Sequence, residues 1–417
     1  MIWFIDDDAG SPLHGMEFRH YYMAESLLKK SEKSLVISAS YSHLFYNLPT
    51  IENRPYLFEK VNGIDFLWLK VINYKQGNSK KRILKWFQFA LKLFSLPKII
   101  TTKPTVIVSS CNAPFLIIPC YYLAKKYNAK FILQVKDIWP LTIMELGGYS
   151  KYNPLIYIMQ KSINFAFKNA DVVISVLPYL DKYIEEQGIK RDKIEYLPNG
   201  ISIKEVENAL PLNDKTTSQI PSNKFIVGYA GAMGIGDGLD MLIKSASLLQ
   251  NYSHIHMVLV GKGAYKKTLE IMVKELKLNN VSIIDPIPKR EVQSLLKYFN
   301  ICYIGWRDKA IYKYGISANK IFDYMYAKKP ILHLYSGAGD LVSDAKCGIT
   351  VTKQSEKYLA KALLKLYYIS QRERDAMGNR GYIFVKNNHS YRAITDRFLA
   401  ICQKPSFVSY STQFAHK

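Results

Sequence analysis

Short apolar runs rich in valine and isoleucine recur along this 417-residue chain, separated by longer stretches with helical spacing. In the first half they fall at 2–5, 34–38, 66–71, 106–109, 130–135 and 171–175, with a helix expected near 17–29. A second cycle starts at 224–230 and continues at 257–260, 281–284, 301–304, 331–334 and 348–351. None of these runs alternates strictly, and parallel strands covered on both faces have this appearance. Strand followed by helix, twice over, predicts an α/β protein of two doubly wound Rossmann-like domains facing a cleft. The expected organisation is a first domain over 1–198, a polar linker over 199–223 holding Pro211 and Pro221, and a second domain over 224–385. Residues 386–417 are expected to supply a helix, spaced as one over 391–403, that packs back on the first domain and ends in a tail. Two cores also suit the length, because one core rarely serves more than about 250–300 residues.

Charge changes the picture more than overall composition does. A formal net charge of +23 and a pI near 9.5 call for an acidic partner: nucleic acid, nucleotide or an anionic membrane. The lysines are spread over both halves and no nucleic-acid-reading module is found, so no nucleic-acid partner is expected. No apolar run approaches the roughly 20 residues of a bilayer span. The amino terminus enters a strand at once, without a basic n-region, and no signal peptide is expected. Five scattered cysteines without a CxxC fit a reducing cytoplasm and argue against zinc. Neither half carries a clean GxGxxG, so no dinucleotide cofactor is expected.

The most informative motif is the loop Gly315-Ile316-Ser317-Ala318, which runs into a helix through Asn319, Lys320 and Asp323. A helix start carries free N–H groups and partial positive charge, which suits a diphosphate. Asp323, one or two turns in, is placed to accept the hydroxyls of a ribose. The same residues also read as an ordinary helix with a dipole-matching acid. Gly231-Ala232-Met233-Gly234 follows a strand and would let the backbone approach a phosphate, though a plain tight turn needs the same glycines. Lys262, between two glycines after another strand, would reach the same edge.

In the first half, the loop from Asp8 to Gly15 offers His14, Glu17 and Arg19 as polar groups for a ligand, or is a plain surface loop. Asp137 follows the apolar run 131–135; it could take a proton or bind a sugar, or simply cap a helix. Asp6-Asp7-Asp8 is the nearest thing to a metal-binding acidic pair, and no metal is expected there. The run from Lys80 to Phe94 is basic and carries more apolar residues than one buried stripe requires. It is expected to lie on an anionic membrane surface, with Lys85, Trp86 and Phe87 among the contacts.

Six pieces in order resemble the retaining glycosyltransferases of family 4, which have the GT-B fold, and among them the bacterial N-acetyl-fucosamine transferases. They are 9–12 with 14–19, Lys136-Asp137-Ile138-Trp139-Pro140, Leu146-Gly147-Gly148, Pro198-Asn199-Gly200, 229–234, and 317–325 followed by Lys329-Pro330. The resemblance implies a UDP-sugar donor held by the second domain and a polyprenyl-diphosphate-linked saccharide acceptor held by the first. It implies donor contacts from Gly15, Gly231, Ala232, Met233, Gly234, Ser317, Ala318, Asn319 and Lys320, a ribose contact from Asp323, and Asp137 beside the reacting sugar. It further implies a metal-independent transferase on the cytoplasmic face of the membrane, with no cofactor beyond its nucleotide-sugar substrate. Two departures stand out. Gly315 replaces the first acid of the family's paired signature, and Ile235-Gly236-Asp237 replaces a basic residue after the glycine loop. Lys262, Lys320 or Arg307 would then have to meet the diphosphate. An epimerase of the same fold, acting on a UDP-amino sugar, is the alternative reading.

Overall fold

The computed structural model describes residues 1–74, 79–111, 113–145, 147–189 and 194–404. Leu146, one of the residues carrying the resemblance, and the tail from 405 lie outside the described residues. The chain divides into two compact units: Met1–Pro198 together with the segment from Tyr391, and Asn199–Ser390.

The sheet of the first unit contains β1 (Ile2–Ile5), β2 (Ser34–Ala39), β3 (Tyr56–Val61), β4 (Ile64–Leu69), β5 (Val106–Ser110), β6 (Lys130–Val135), β7 (Val172–Ser175) and β8 (Ile194–Tyr196). Their order is β3-β4-β2-β1-β5-β6-β7-β8, parallel throughout except that β3 runs antiparallel to β4. Strands β1, β5, β6 and β7 are buried along their whole length, which explains their mainly apolar character. β3 has no counterpart in the strand pattern read from the sequence, because as an edge strand it mixes Glu59 and Lys60 with aromatics. The local signal was its turn: Asn62 and Gly63 have φ of 49° and 85°, the left-handed pair that closes a tight hairpin.

The helix Tyr391–Gln403 packs on the helix Arg19–Leu28, where Ile394, Phe398 and Ile401 join the core with Phe4, Val36 and Trp68. Lys130 Nζ donates to the carbonyls of Ile401 and Cys402, placing a cation at that helix's negative end.

The sheet of the second unit has β9 (Phe225–Ala230), β10 (Ile255–Val260), β11 (Val281–Ile284), β12 (Ile301–Gly305), β13 (Ile331–Leu334) and β14 (Gly348–Val351). All are parallel in the order β11-β10-β9-β12-β13-β14. Successive residues feed two cores on opposite faces: Ile226 and Ala230 go to one, Val227 and Tyr229 to the other.

Residues 199–223 are not a free linker. They hold two short helices, Ile203–Glu207 and Asp214–Thr217, capped by Ser202 and Asn213, and Ile201, Val206 and Ile220 sit in the second unit's core. The composition suggested a tether, but its widely spaced apolar residues are anchors. The second unit also runs to Ser390 instead of 385, because the helix Gln371–His389 continues without a break.

The helix Lys80–Leu93 forms with Ser79 as its cap, and the structure corrects which residues it shows to solvent. Lys85 and Trp86 are buried, so neither can meet a membrane. The exposed apolar residues are Leu84 (57%), Phe87, Leu91 (69%) and Phe94. Phe87 stacks on Phe115, and Phe94 contacts Tyr122, itself half exposed beside Ile118 on the next long helix. No helix among the described residues is long and apolar enough to cross a membrane.

Candidate active site

The second unit gathers its candidate residues at the carboxyl ends of β9 and β10. The helix Asn319–Tyr326 starts beside the turn that leaves β9. Ala318 holds its cap position and has no side-chain acceptor, so the first-turn N–H groups are not met by a cap. Tyr324, on the next turn, ties this helix to the strand end: its hydroxyl accepts from the Ala230 N–H at 2.9 Å.

Gly231 has φ of 156°, and a Cβ there would lie 2.6 Å from the Lys320 side chain. The lysine therefore lies across the turn, and glycine is what lets it do so. Two loops are laced together behind it: Gly231 N–H donates to the Val260 carbonyl, and Met233 N–H to the Lys262 carbonyl at 2.8 Å. A Cβ on Gly261 would sit 1.8 Å from the Gly231 oxygen, so these glycines are needed for the close approach of two backbones. Lys262 is exposed on that second loop. Ser317 is held from the other side, where the Asn199 side chain donates to its carbonyl at 3.1 Å. That contact gives Asn199 a role in shaping the loop ahead of the helix.

Charge in this group is internally matched. Lys320 Nζ lies 2.6 Å from Asp237 Oδ1 and donates to the Tyr229 hydroxyl at 2.5 Å, while Asp237 Oδ2 accepts from the Gly234 N–H at 2.8 Å. Asp237 thus occupies, with its carboxylate, an anion's place between the glycine turn and the lysine. Asp323 is buried, and its Oδ2 is paired with Lys289 at 2.6 Å. Arg307 does not join the group: Asp240 holds its guanidinium at 3.1 Å and the Tyr265 hydroxyl accepts from it. At Gly315 φ is 96°, a conformation that favours glycine over the acid that the resemblance implies at this position.

The first unit treats its candidates differently. His14, Glu17 and Arg19 are not brought together as one ligand face. His14 is buried between Ser11, whose Oγ lies 2.9 Å from Nδ1, and Trp68, with Glu59 at 3.3 Å from Nε2. Arg19 is buried too and donates to the carbonyls of Leu197 and Pro198 at 2.9 and 2.7 Å. It fixes the end of the first unit's chain instead of facing a substrate. Only Glu17 stays partly open, 3.3 Å from Lys136. Gly15 pairs in isolated bridges with Ser11 and Phe45, so the loop is folded onto residues 42–46. Asp137 leaves β6 with Oδ1 accepting from the Ile138 N–H and the Thr142 hydroxyl, at 2.9 and 2.6 Å. Burial raises its proton affinity above that of a free carboxyl group, against those two hydrogen bonds.

Asp6, Asp7 and Asp8 form an ion-pair cluster with cations that the sequence did not link to them. Lys136 sits 2.6 Å from Asp6, and Lys85 sits 2.7 Å from Asp7 and 2.8 Å from Asp8. Burial pushes Asp6 up, but Lys136 and His20 outweigh it and hold the carboxyl well below its usual range. Burial and the neighbouring Asp8 push Asp7 up to about 6, with Lys85 opposing them. The only local hint was a lysine on the Lys80–Leu93 helix at a position that points inward.

Comparison with known proteins gives two family-model matches in sequence order. Residues 14–205 match Glycosyltransferase Family 4, and residues 213–384 match Glycosyl transferases group 1. Among curated relatives, the chain is 25% identical over 236 residues to the "Putative colanic acid biosynthesis glycosyl transferase WcaI" of Escherichia coli K12, covering 55% of this chain and 58% of that one. The match thus spans a little over half the length of that relative. Among solved structures, Anabaena Alr3699/HepE in complex with UDP and glucose superposes with a TM-score of 0.66 at 14% identity, over 96% of this chain and 98% of its own. WaaG, a glycosyltransferase involved in lipopolysaccharide biosynthesis, gives 0.67 at 12% identity, over 97% and 100%.

Proposed function

This chain is a glycosyltransferase of the GT-B fold, and we propose that it moves an N-acetylated amino sugar or another hexosyl group from a UDP-sugar to a polyprenyl-diphosphate-linked saccharide, with retention. The product would belong to a bacterial surface polysaccharide (O-antigen, capsule or exopolysaccharide). The observation that carries the reading is the Asn319–Tyr326 helix start, uncapped by Ala318, set against the Gly231 turn with Lys320 across it. As the bond between sugar C1 and the diphosphate breaks, charge grows on the leaving oxygens. The first-turn N–H groups of the helix and Lys262, with Lys320 once a phosphate takes the place of Asp237, would meet that charge. Those protein cations take the role that a metal has elsewhere, so EDTA should leave activity intact. Asp323 would accept from the ribose hydroxyls with the oxygen that Lys289 does not hold. Asp137, its proton affinity raised by burial, is the proposed group beside the reacting sugar.

A lipid-linked acceptor is supported by the exposed stripe Leu84, Phe87, Leu91 and Phe94, flanked by Lys80, Lys81 and Lys92. Such a face suits the cytoplasmic side of an anionic membrane, where nucleotide sugars and lipid carriers meet. The test is incubation with a panel of UDP-sugars and a prenyl-diphosphate-linked saccharide, with products resolved by mass. A new glycosidic product is expected; a changed free sugar without transfer would establish the epimerase instead.

A further inference from the structure

Lys289 belongs to none of the motifs read from the sequence, yet its ammonium meets Asp323. It opens the turn Lys289–Glu291 that follows β11 and leads into the short helix Val292–Leu296. That turn is held from several sides. The Leu210 N–H donates to the Arg290 carbonyl at 2.8 Å, and the Asn213 side chain donates to Glu291 at 3.0 Å. Ile287 and Val292, before and after it, pack against the second unit's core. Gln293, one turn on, donates to the Asp323 carbonyl at 3.2 Å. The lysine stem thus starts from a fixed backbone beside the Asn319–Tyr326 helix, and Nζ lies 2.6 Å from Asp323 Oδ2.

The two side chains differ in exposure, and the difference matters. Asp323 keeps 10% of its side chain open, whereas Lys289 keeps 43%. A half-exposed lysine adds little stability to such a pair, because water competes for its charge. What the pair does fix is direction. Oδ2 faces the lysine, so the carboxylate has Oδ1 left to offer, and an ammonium has two protons beyond the one it gives. An acceptor and a donor therefore stand side by side. A vicinal diol is matched by such a pair, since each hydroxyl donates through its hydrogen and accepts through its oxygen. One hydroxyl gives its proton to Oδ1 of Asp323 while its neighbour accepts from Nζ of Lys289. We infer that Lys289 is a further specificity residue of the donor site: with Asp323 it clamps both ribose hydroxyls and selects the intact diol over deoxyribose. The inference rests on the UDP-sugar donor proposed above and adds a second contact to the one given to Asp323.

Calorimetric titration of the full chain with UDP, 2′-deoxy-UDP, 3′-deoxy-UDP and inorganic diphosphate tests it. The parent should bind UDP about tenfold or more tightly than either deoxynucleotide, the scale of one hydrogen bond to a charged group. Lys289→Met should bind UDP about tenfold more weakly while binding one of the two deoxynucleotides, the one lacking the hydroxyl that Lys289 meets, as the parent does. Lys289→Arg keeps the charge and the donors and should keep both preferences. Inorganic diphosphate, which has no diol, should bind all three proteins alike. An equal loss for all three nucleotides in Lys289→Met would leave Lys289 a structural partner of Asp323 and overturn the clamp. Unchanged UDP binding would overturn it too, as would weakened binding of inorganic diphosphate. If the parent binds UDP without this pattern, the clamp falls and the donor reading stands; if the parent binds no UDP, the donor reading fails and the clamp with it.

Discussion

Lys85 shows how far a residue's neighbours in space can differ from its neighbours in sequence. It stands in a run of lysines and aromatics that suggests a surface, yet it is wholly buried between Asp7 and Asp8. Removing one partner of a buried charge group leaves the others without compensation, so Lys85→Met should destabilise the protein by about 3–5 kcal/mol in urea unfolding. The same cluster shapes the pH dependence. Asp6 has a folded pKa below its unfolded value of 3.8, so its contribution is full above that value and is lost on acidification below it. Asp7 works in the opposite sense: raised to about 6, it makes the fold gain stability as pH falls from about 6 towards 3.8. Urea unfolding across pH should therefore show a gain on mild acidification, which Asp7→Asn abolishes, followed by an acid limb that it leaves in place. The residues themselves were plain in the sequence; their pairing was not, because Asp7 and Lys85 come together only through packing of the Lys80–Leu93 helix on the end of β1.

At the scale of elements, the buried parallel strands were legible because burial on both faces leaves mostly apolar residues. β3 was not, since an exposed edge erases that signal and left Asn62-Gly63 as the one clue. The Lys80–Leu93 helix was legible as amphipathic, but its direction was not: apolar residues surround most of it, and only packing decides that Trp86 and Phe89 point in while Leu84 and Leu91 point out. Vesicle binding tests that assignment. Leu84→Ser/Leu91→Ser should release the chain from anionic vesicles with stability nearly unchanged, because neither residue is buried. Retained co-sedimentation of that variant would count against the membrane face.

Over the whole molecule, the six ordered motifs pointed to the fold class more surely than any single one, and the two units carry parallel α/β sheets accordingly. What the motifs could not convey is how Asp237 replaces a basic residue: it pairs with Lys320 and takes the Gly234 N–H, so in the free protein a carboxylate already rests among the phosphate-seeking groups. On the proposed reading, a diphosphate would have to compete with it. The motifs contain Asn199 and Tyr324 but do not convey their contacts, because the Asn199 bond to Ser317 and the Tyr324 bond to Ala230 join segments far apart in sequence. The central claim is that the Gly231 turn and the Asn319–Tyr326 helix grip a nucleoside diphosphate. Calorimetric titration of UDP into the parent, Lys320→Met and Asp323→Ala tests it most directly. The account predicts binding to the parent and a loss of about tenfold or more in each variant, the scale of one charged hydrogen bond. Equal UDP affinity in all three proteins would contradict it.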